Sequence, residues 1–166
     1  MEKDLKQGSY LPAIIIPALL ISASILFSCQ QGSIYNESEK IPANSWSAGN
    51  TISFSAPVSD TLDACNISLV IRTTNSYPYR NLFLFVETTS PAGYRIKDTV
   101  EYFLADEKGN WYGSGLGDIK DLSVPFKTNV IFPDTGNYVF NIRHGMREAN
   151  LNGVSDIGIQ IAKRKQ

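Results

Sequence analysis

His144 is the only histidine in the chain, so any serine- or cysteine-based nucleophilic mechanism would have to draw its base from there. It follows Tyr138, Phe140 and Ile142 at the same strand parity. That places it at the end of an inward face, where closing the core with a hydrogen bond is the expected role. No G-x-S-x-G elbow is present, since Gly113-Ser114-Gly115 lacks the spacing, and nothing in the sequence brings Cys65 to His144. The glycine-rich run from Tyr112 to Asp118 fails as a dinucleotide loop because Asp118 stands where the third glycine belongs. It lacks the Gly-Lys-Ser/Thr of a phosphate loop, and reads as a mobile loop or bulged edge beside Trp111. Asp106, Asp118 and Asp121 fall in loops but match no calcium-loop spacing, and read as solvated acids. The expectation is no catalytic residue, no metal and no cofactor.

Four aromatic residues in loop segments, Tyr77, Tyr79, Trp111 and Tyr112, admit three readings. They could stack against a sugar ring, form a hot spot for a protein partner, or simply be edges of the core. Cys65 precedes the strand-like run from Asn66 to Arg72 and is expected to be buried and inert.

The elements that would carry these residues follow from composition and periodicity. The chain has 166 residues, 43% apolar, 11% aromatic and 19% charged. That allows one domain with a real core and excludes the disordered class. Fifteen basic residues against sixteen acidic ones give a net charge of −1. Nucleic-acid binding, which needs a basic face to displace phosphate counterions, is not expected.

The first residues, Met1 to Gly8, are polar, with Lys3 and Lys6 against Glu2 and Asp4. An apolar stretch from Leu11 to Phe27 follows, interrupted by Pro17 and carrying Ser22 and Ser24. It is short for a spanning helix and reads as the h-region of a signal peptide, residues 1–28. Leu26-Phe27-Ser28-Cys29 resembles the lipobox of bacterial lipoproteins, with Phe27 bulkier than the usual small residue. That resemblance implies cleavage before Cys29, acylation of Cys29, and attachment to the membrane through its lipid. The alternatives are ordinary cleavage after Ser28 or an uncleaved anchor. Gln30 in place of Asp favours the outer membrane, and the lack of an acidic run after Cys29 makes the periplasmic side the expected one.

Residues 29–48 are rich in Gln, Gly, Ser, Asn and Pro and read as the acylated cysteine and a flexible tether. From residue 49 to 166 the pattern is period-two. Ile52 and Phe54, then Ile67, Leu69 and Ile71, share faces, while Leu82 to Val86 is apolar on both faces and fits a central strand. Val100, Tyr102 and Leu104, then Val124, Phe126, Val130 and Phe132, then Tyr138 to Ile142 and Ile157 to Ile161, continue the alternation. Turn signals separate the runs, with Gly109 and Gly136 placed where tight turns need positive φ. The expected fold is all-β: a two-sheet antiparallel β-sandwich, jelly-roll-like, of about eight strands.

Several segments together are similar to the gliding-motility lipoprotein GldH family of the Bacteroidetes. They are Tyr79-Arg80-Asn81-Leu82, Asp98-Thr99-Val100-Glu101-Tyr102, Trp111-Tyr112-Gly113 with Gly115 and Gly117-Asp118-Ile119, Phe132-Pro133 with Gly136 and Tyr138, and His144-Gly145-Met146-Arg147 with Leu151, Gly153-Val154 and Asp156-Ile157-Gly158. The resemblance implies a non-enzymatic envelope lipoprotein that works with gliding or type IX secretion proteins as a scaffold or assembly factor. The rival expectation is a glycan-binding sandwich using the aromatic loops. Asp60-Thr61-Leu62 and Asp98-Thr99-Val100 also resemble the acceptor for O-glycosylation of exported proteins in that phylum, Thr61 being the better placed because Thr99 falls in a strand.

Overall fold

The computed structural model describes residues 33–115 and 117–164. The signal segment and Cys29 lie outside these residues. Ten strands follow in chain order: β1 (Ser33–Lys40), β2 (Ser45–Ser47), β3 (Ile52–Val58), β4 (Cys65–Thr74), β5 (Asn81–Thr89), β6 (Arg95–Phe103), β7 (Ile119–Val130), β8 (Gly136–His144), β9 (Asn150–Asn152) and β10 (Val154–Lys163). Eight of them build two four-stranded sheets in the orders β1-β10-β4-β7 and β3-β8-β5-β6; β2 and β9 form a short ribbon beside them. Every pairing is antiparallel. Apart from the β5–β6 hairpin, each connection between the eight long strands crosses to the other sheet, which is jelly-roll topology.

Alternation decides which face is core. In β3, Ile52, Phe54, Ala56 and Val58 are buried and the residues between them exposed. Cys65, Ile67, Leu69 and Ile71 are likewise buried in β4, with half-buried residues between them, and Tyr138, Phe140, Ile142 and His144 are buried in β8. Strand β10 lies between β1 and β4, and its burial runs unbroken from Val154 to Ile159, with Ser155, Asp156 and Gly158 buried among the aliphatic residues. Strand β5 is central in its sheet, as its two apolar faces require. Gly109 and Gly136 adopt φ of 81° and 131°, the turn geometry expected of them.

The sandwich begins earlier than the tether expected over residues 29–48. Strand β1 pairs with β10 from Ser33↔Ala162 to Lys40↔Asp156, and β2 places Trp46 in the core with no exposed surface. An edge strand covered on one side leaves no alternation to read: only Tyr35 of β1 is buried, among Asn, Glu, Ser and Lys.

The fold has two ends. At one end lie Ser33, the loops after β3, β5 and β7, and the close of β10. The opposite end gathers the β4–β5, β6–β7 and β8–β10 connections. Most of the segments quoted for the family resemblance fall in this second group.

Candidate functional site

Tyr77, in the β4–β5 loop, is buried, and its hydroxyl donates to the Asn81 carbonyl at 2.8 Å. Its ring meets Tyr79 edge-on with centroids 5.9 Å apart, and Trp111 at 6.1 Å. Burial holds the Tyr77 hydroxyl well above the ordinary tyrosine pKa. Tyr79 and Trp111 are half-buried against this centre, while Tyr112 stands 61% exposed. The four loop aromatics are therefore not one exposed platform: Tyr77 is core, Tyr79 and Trp111 are its rim, and Tyr112 alone is offered to solvent.

The rim continues into the turn after β8. The Tyr79 hydroxyl donates to Glu148 Oε1, while Glu148 Oε2 is buried with no hydrogen-bond partner among the described residues. That bond raises the Tyr79 pKa and lowers that of Glu148. Gly145 N–H donates to the Phe83 carbonyl at 2.7 Å, and the Phe83 N–H contacts Met146 Sδ at 3.5 Å. A Cβ on Gly145 would lie 3.1 Å from the Phe85 ring, so the turn lies close on β5. Tyr79, Phe83, Gly145, Met146, Arg147 and Glu148 line a shallow depression of about 380 Å³.

His144 closes the inward face of β8, as its parity implies, and is 3% exposed. The hydrogen bond expected of it is not well formed: Nδ1 and Nε2 are both buried, and among the described residues neither has a partner of good hydrogen-bond geometry. The ring instead packs edge-on against Trp46, centroids 5.4 Å apart. Burial lowers its pKa, so the neutral ring is the stable form. Among the described residues, neither nitrogen is hydrogen-bonded to a serine, threonine or cysteine side chain. Cys65 is buried as expected, and desolvation raises its thiol pKa.

The three carboxylates are each engaged separately, and Asp121 lies within β7, opposite Arg72 of β4, rather than in a loop. Asp106 accepts from the Lys108 and Asn110 N–H groups, both at 2.8 Å, and from Asn110 Nδ2 at 2.9 Å. Asp118 accepts from Asn75 Nδ2 at 2.8 Å, and Asp121 pairs with Arg72 at 2.5 Å. Among the described residues, no three His, Cys, Asp or Glu side chains converge to hold a metal. The glycine run is a folded return: Ser114 and Asp121 exchange backbone hydrogen bonds at 2.9 and 2.7 Å. A Cβ on Gly113 would fall 2.5 Å from the Asp121 carbonyl oxygen, so close backbone approach accounts for that glycine. Thr61 sits half-exposed in the β3–β4 loop, and Thr99 lies in β6.

The fold and this end define an all-β jelly-roll protein whose loops present a packed aromatic and acidic rim. Residues 33–161 match the family described as GldH lipoprotein, and the chain belongs to that family. It is 32% identical over 153 residues to the gliding motility lipoprotein GldH of Flavobacterium johnsoniae, covering 88% of this chain and 94% of that one. A GldH homolog from Christiangramia forsetii is 34% identical over 153 residues, covering 87% and 93%. Among solved structures, the infectious bursal disease virus VP2 subviral particle aligns at a TM-score of 0.33 with 16% identity, over 80% of this chain and 31% of that one. That likeness carries no argument.

Proposed function

We propose that the protein is a non-enzymatic envelope lipoprotein of the gliding machinery. It is anchored through acylated Cys29 to the periplasmic face of the outer membrane, after removal of residues 1–28. Its jelly roll acts as a scaffold or assembly factor for gliding and type IX secretion proteins. Family membership with relatives named gliding motility lipoproteins supports the setting. The observation that carries the binding role is the rim itself. Tyr79, Met146 and Arg147 line one depression around Glu148 and are of the residue types enriched at protein interfaces, and Tyr112 is exposed at the same end of the sandwich.

A glycan-binding reading has one observation in its favour, the exposed Tyr112 ring. Burial of Tyr77 and the half-burial of Trp111 leave little else for a sugar to stack on. Affinity purification after in-cell crosslinking, with wild-type protein and Cys29→Ala compared, tests the proposal. Gliding or secretion proteins recovered from the acylated form alone support it; polysaccharide retained without protein contradicts it. Mass spectrometry of the same sample shows whether Thr61 carries a glycan.

A further inference from the structure

The end of the sandwich opposite the rim carries an apolar cleft. It opens between the edge strands β6 and β7, where the two sheets part, and has a volume of about 460 Å³. Ile67, Phe126, Phe132 and Phe140 form its interior, and Tyr94, Ile96 and Ile131 its mouth. Those three mouth residues are 76%, 60% and 59% exposed. Below the mouth the two edges are joined by Lys127–Asp98 at 2.6 Å and by the Tyr102 hydroxyl on the Pro125 carbonyl at 2.9 Å. Leu62, from the β3–β4 loop at the same end, is also exposed. Other large apolar side chains, Phe103, Tyr112 and Ile119, are exposed at the rim end. Here, however, the exposed Tyr94, Ile96 and Ile131 stand around an apolar cleft, and a contiguous apolar opening of that kind marks a surface that is covered in use.

The start of the sandwich indicates what covers it. Ser33 pairs with Ala162, Ala162 with Asn66, and Cys65 with Val130, so one row across the sheet joins the first residue of β1 to the wall of the cleft. Three strand spacings, about 14 Å, separate β1 from β7. Cys29 precedes Ser33 by four residues, which span about 14 Å at most. A lipid on Cys29 therefore holds this end within that distance of the bilayer surface.

We propose that the bilayer is the occupant: this end of the jelly roll rests on the membrane. Tyr94, Ile96 and Ile131 enter the interface, and the cleft between β6 and β7 receives lipid acyl chains. The inference rests on the acylation of Cys29 proposed above. Tyrosine and isoleucine suit the boundary, the ring burying its body while its hydroxyl stays among the headgroups. Docking would fix the molecule upright, so that the rim of Tyr79, Tyr112 and Glu148 faces away from the membrane.

The experiment uses the lipidated protein reconstituted into phosphatidylcholine vesicles whose acyl chains are plain or brominated. A Tyr94→Trp variant adds an indole at the mouth, whereas native Trp46 and Trp111 belong to the opposite end. Bromine on the chains quenches only an indole that reaches below the headgroups. The expected result is that the added emission falls by at least half in brominated vesicles while the native emission is unchanged. Adding Ile96→Asp and Ile131→Asp, both at exposed positions, should restore it. Protein that floats with the vesicles but whose added indole is not quenched overturns the docking, whether the cleft is open or covered by a second copy. Quenching that survives both aspartates overturns the role of the cleft. Failure to float overturns the anchoring through Cys29, and this inference with it.

Discussion

The Tyr79 hydroxyl donates to the Glu148 carboxylate across 69 residues of sequence, joining the β4–β5 loop to the turn that follows β8. One loop presents the aromatic centre of Tyr77, Tyr79 and Trp111; the other presents Met146 and Arg147. That hydrogen bond ties the two loops together at the rim that we assign to partner binding.

Removing that bond should change the rim without unfolding the protein. Tyr79→Phe keeps the ring contact with Tyr77 and deletes only the hydroxyl. The Glu148 pKa then returns toward the ordinary glutamate value, because the bond to Tyr79 is the main cause of its depression. Carboxyl carbon NMR of labelled glutamate reads this directly. The melting temperature is expected to fall modestly, because the Glu148 carboxylate loses its hydrogen-bond donor in a half-buried setting.

Buried, neutral His144 should make stability fall in mild acid. Its folded pKa lies below the unfolded value of 6.5, so the unfolded chain binds the extra proton. The contribution is complete above pH 6.5 and is lost as pH falls below it, by at most about 1.4 kcal/mol per pH unit. His144→Phe retains an aromatic edge toward Trp46 and cannot titrate. Urea unfolding at pH 7.5, 6.5 and 5.5 should show the dependence in wild type and a flatter one in the variant.

Gly153 is held at φ 86°, and a Cβ there would lie 2.3 Å from the Tyr77 backbone nitrogen. Gly153→Ala meets both an unfavourable backbone region and an immovable neighbour, and is expected to cost at least about 2 kcal/mol. Denaturant titration measures it. The loss should be accompanied by exposure of Trp46, whose indole N–H donates to the Asn50 carbonyl at 3.0 Å nearby.

The Cys65 thiol should be unreactive while the protein is folded. It is buried, and both desolvation and Asp63 raise its pKa. Alkylation at pH 8 is expected to run at least about a hundredfold slower than in denaturant. Rapid labelling of native protein would contradict the packing of β4.

Strand alternation made most of the sandwich legible in the sequence. Phe54, Leu69, Phe140 and Ile159 lie in the core where their parity places them. Strand β1 escaped because an edge strand with one buried side chain, Tyr35, has no period to show. Trp46 escaped because it lies in a three-residue strand beside a proline-containing turn. Parity gave the direction of His144 but not its partner, since hydrogen bonding depends on what the opposite sheet brings. The rim was half legible: Tyr77, Tyr79, Trp111 and Tyr112 stand out as loop aromatics, but their depths are set by packing on one another. Nothing local marks Glu148, whose role exists only through a residue on another loop.

The central claim is that the rim end binds an envelope protein. Site-specific photocrosslinking in cells tests it most directly, with a photoreactive amino acid replacing Tyr112, which is exposed at the rim, or Ser53, which is exposed on the outer face of β3. The account predicts one discrete adduct to a gliding or secretion component from position 112 and none from 53. No protein adduct from position 112, or identical adducts from both positions, would contradict it.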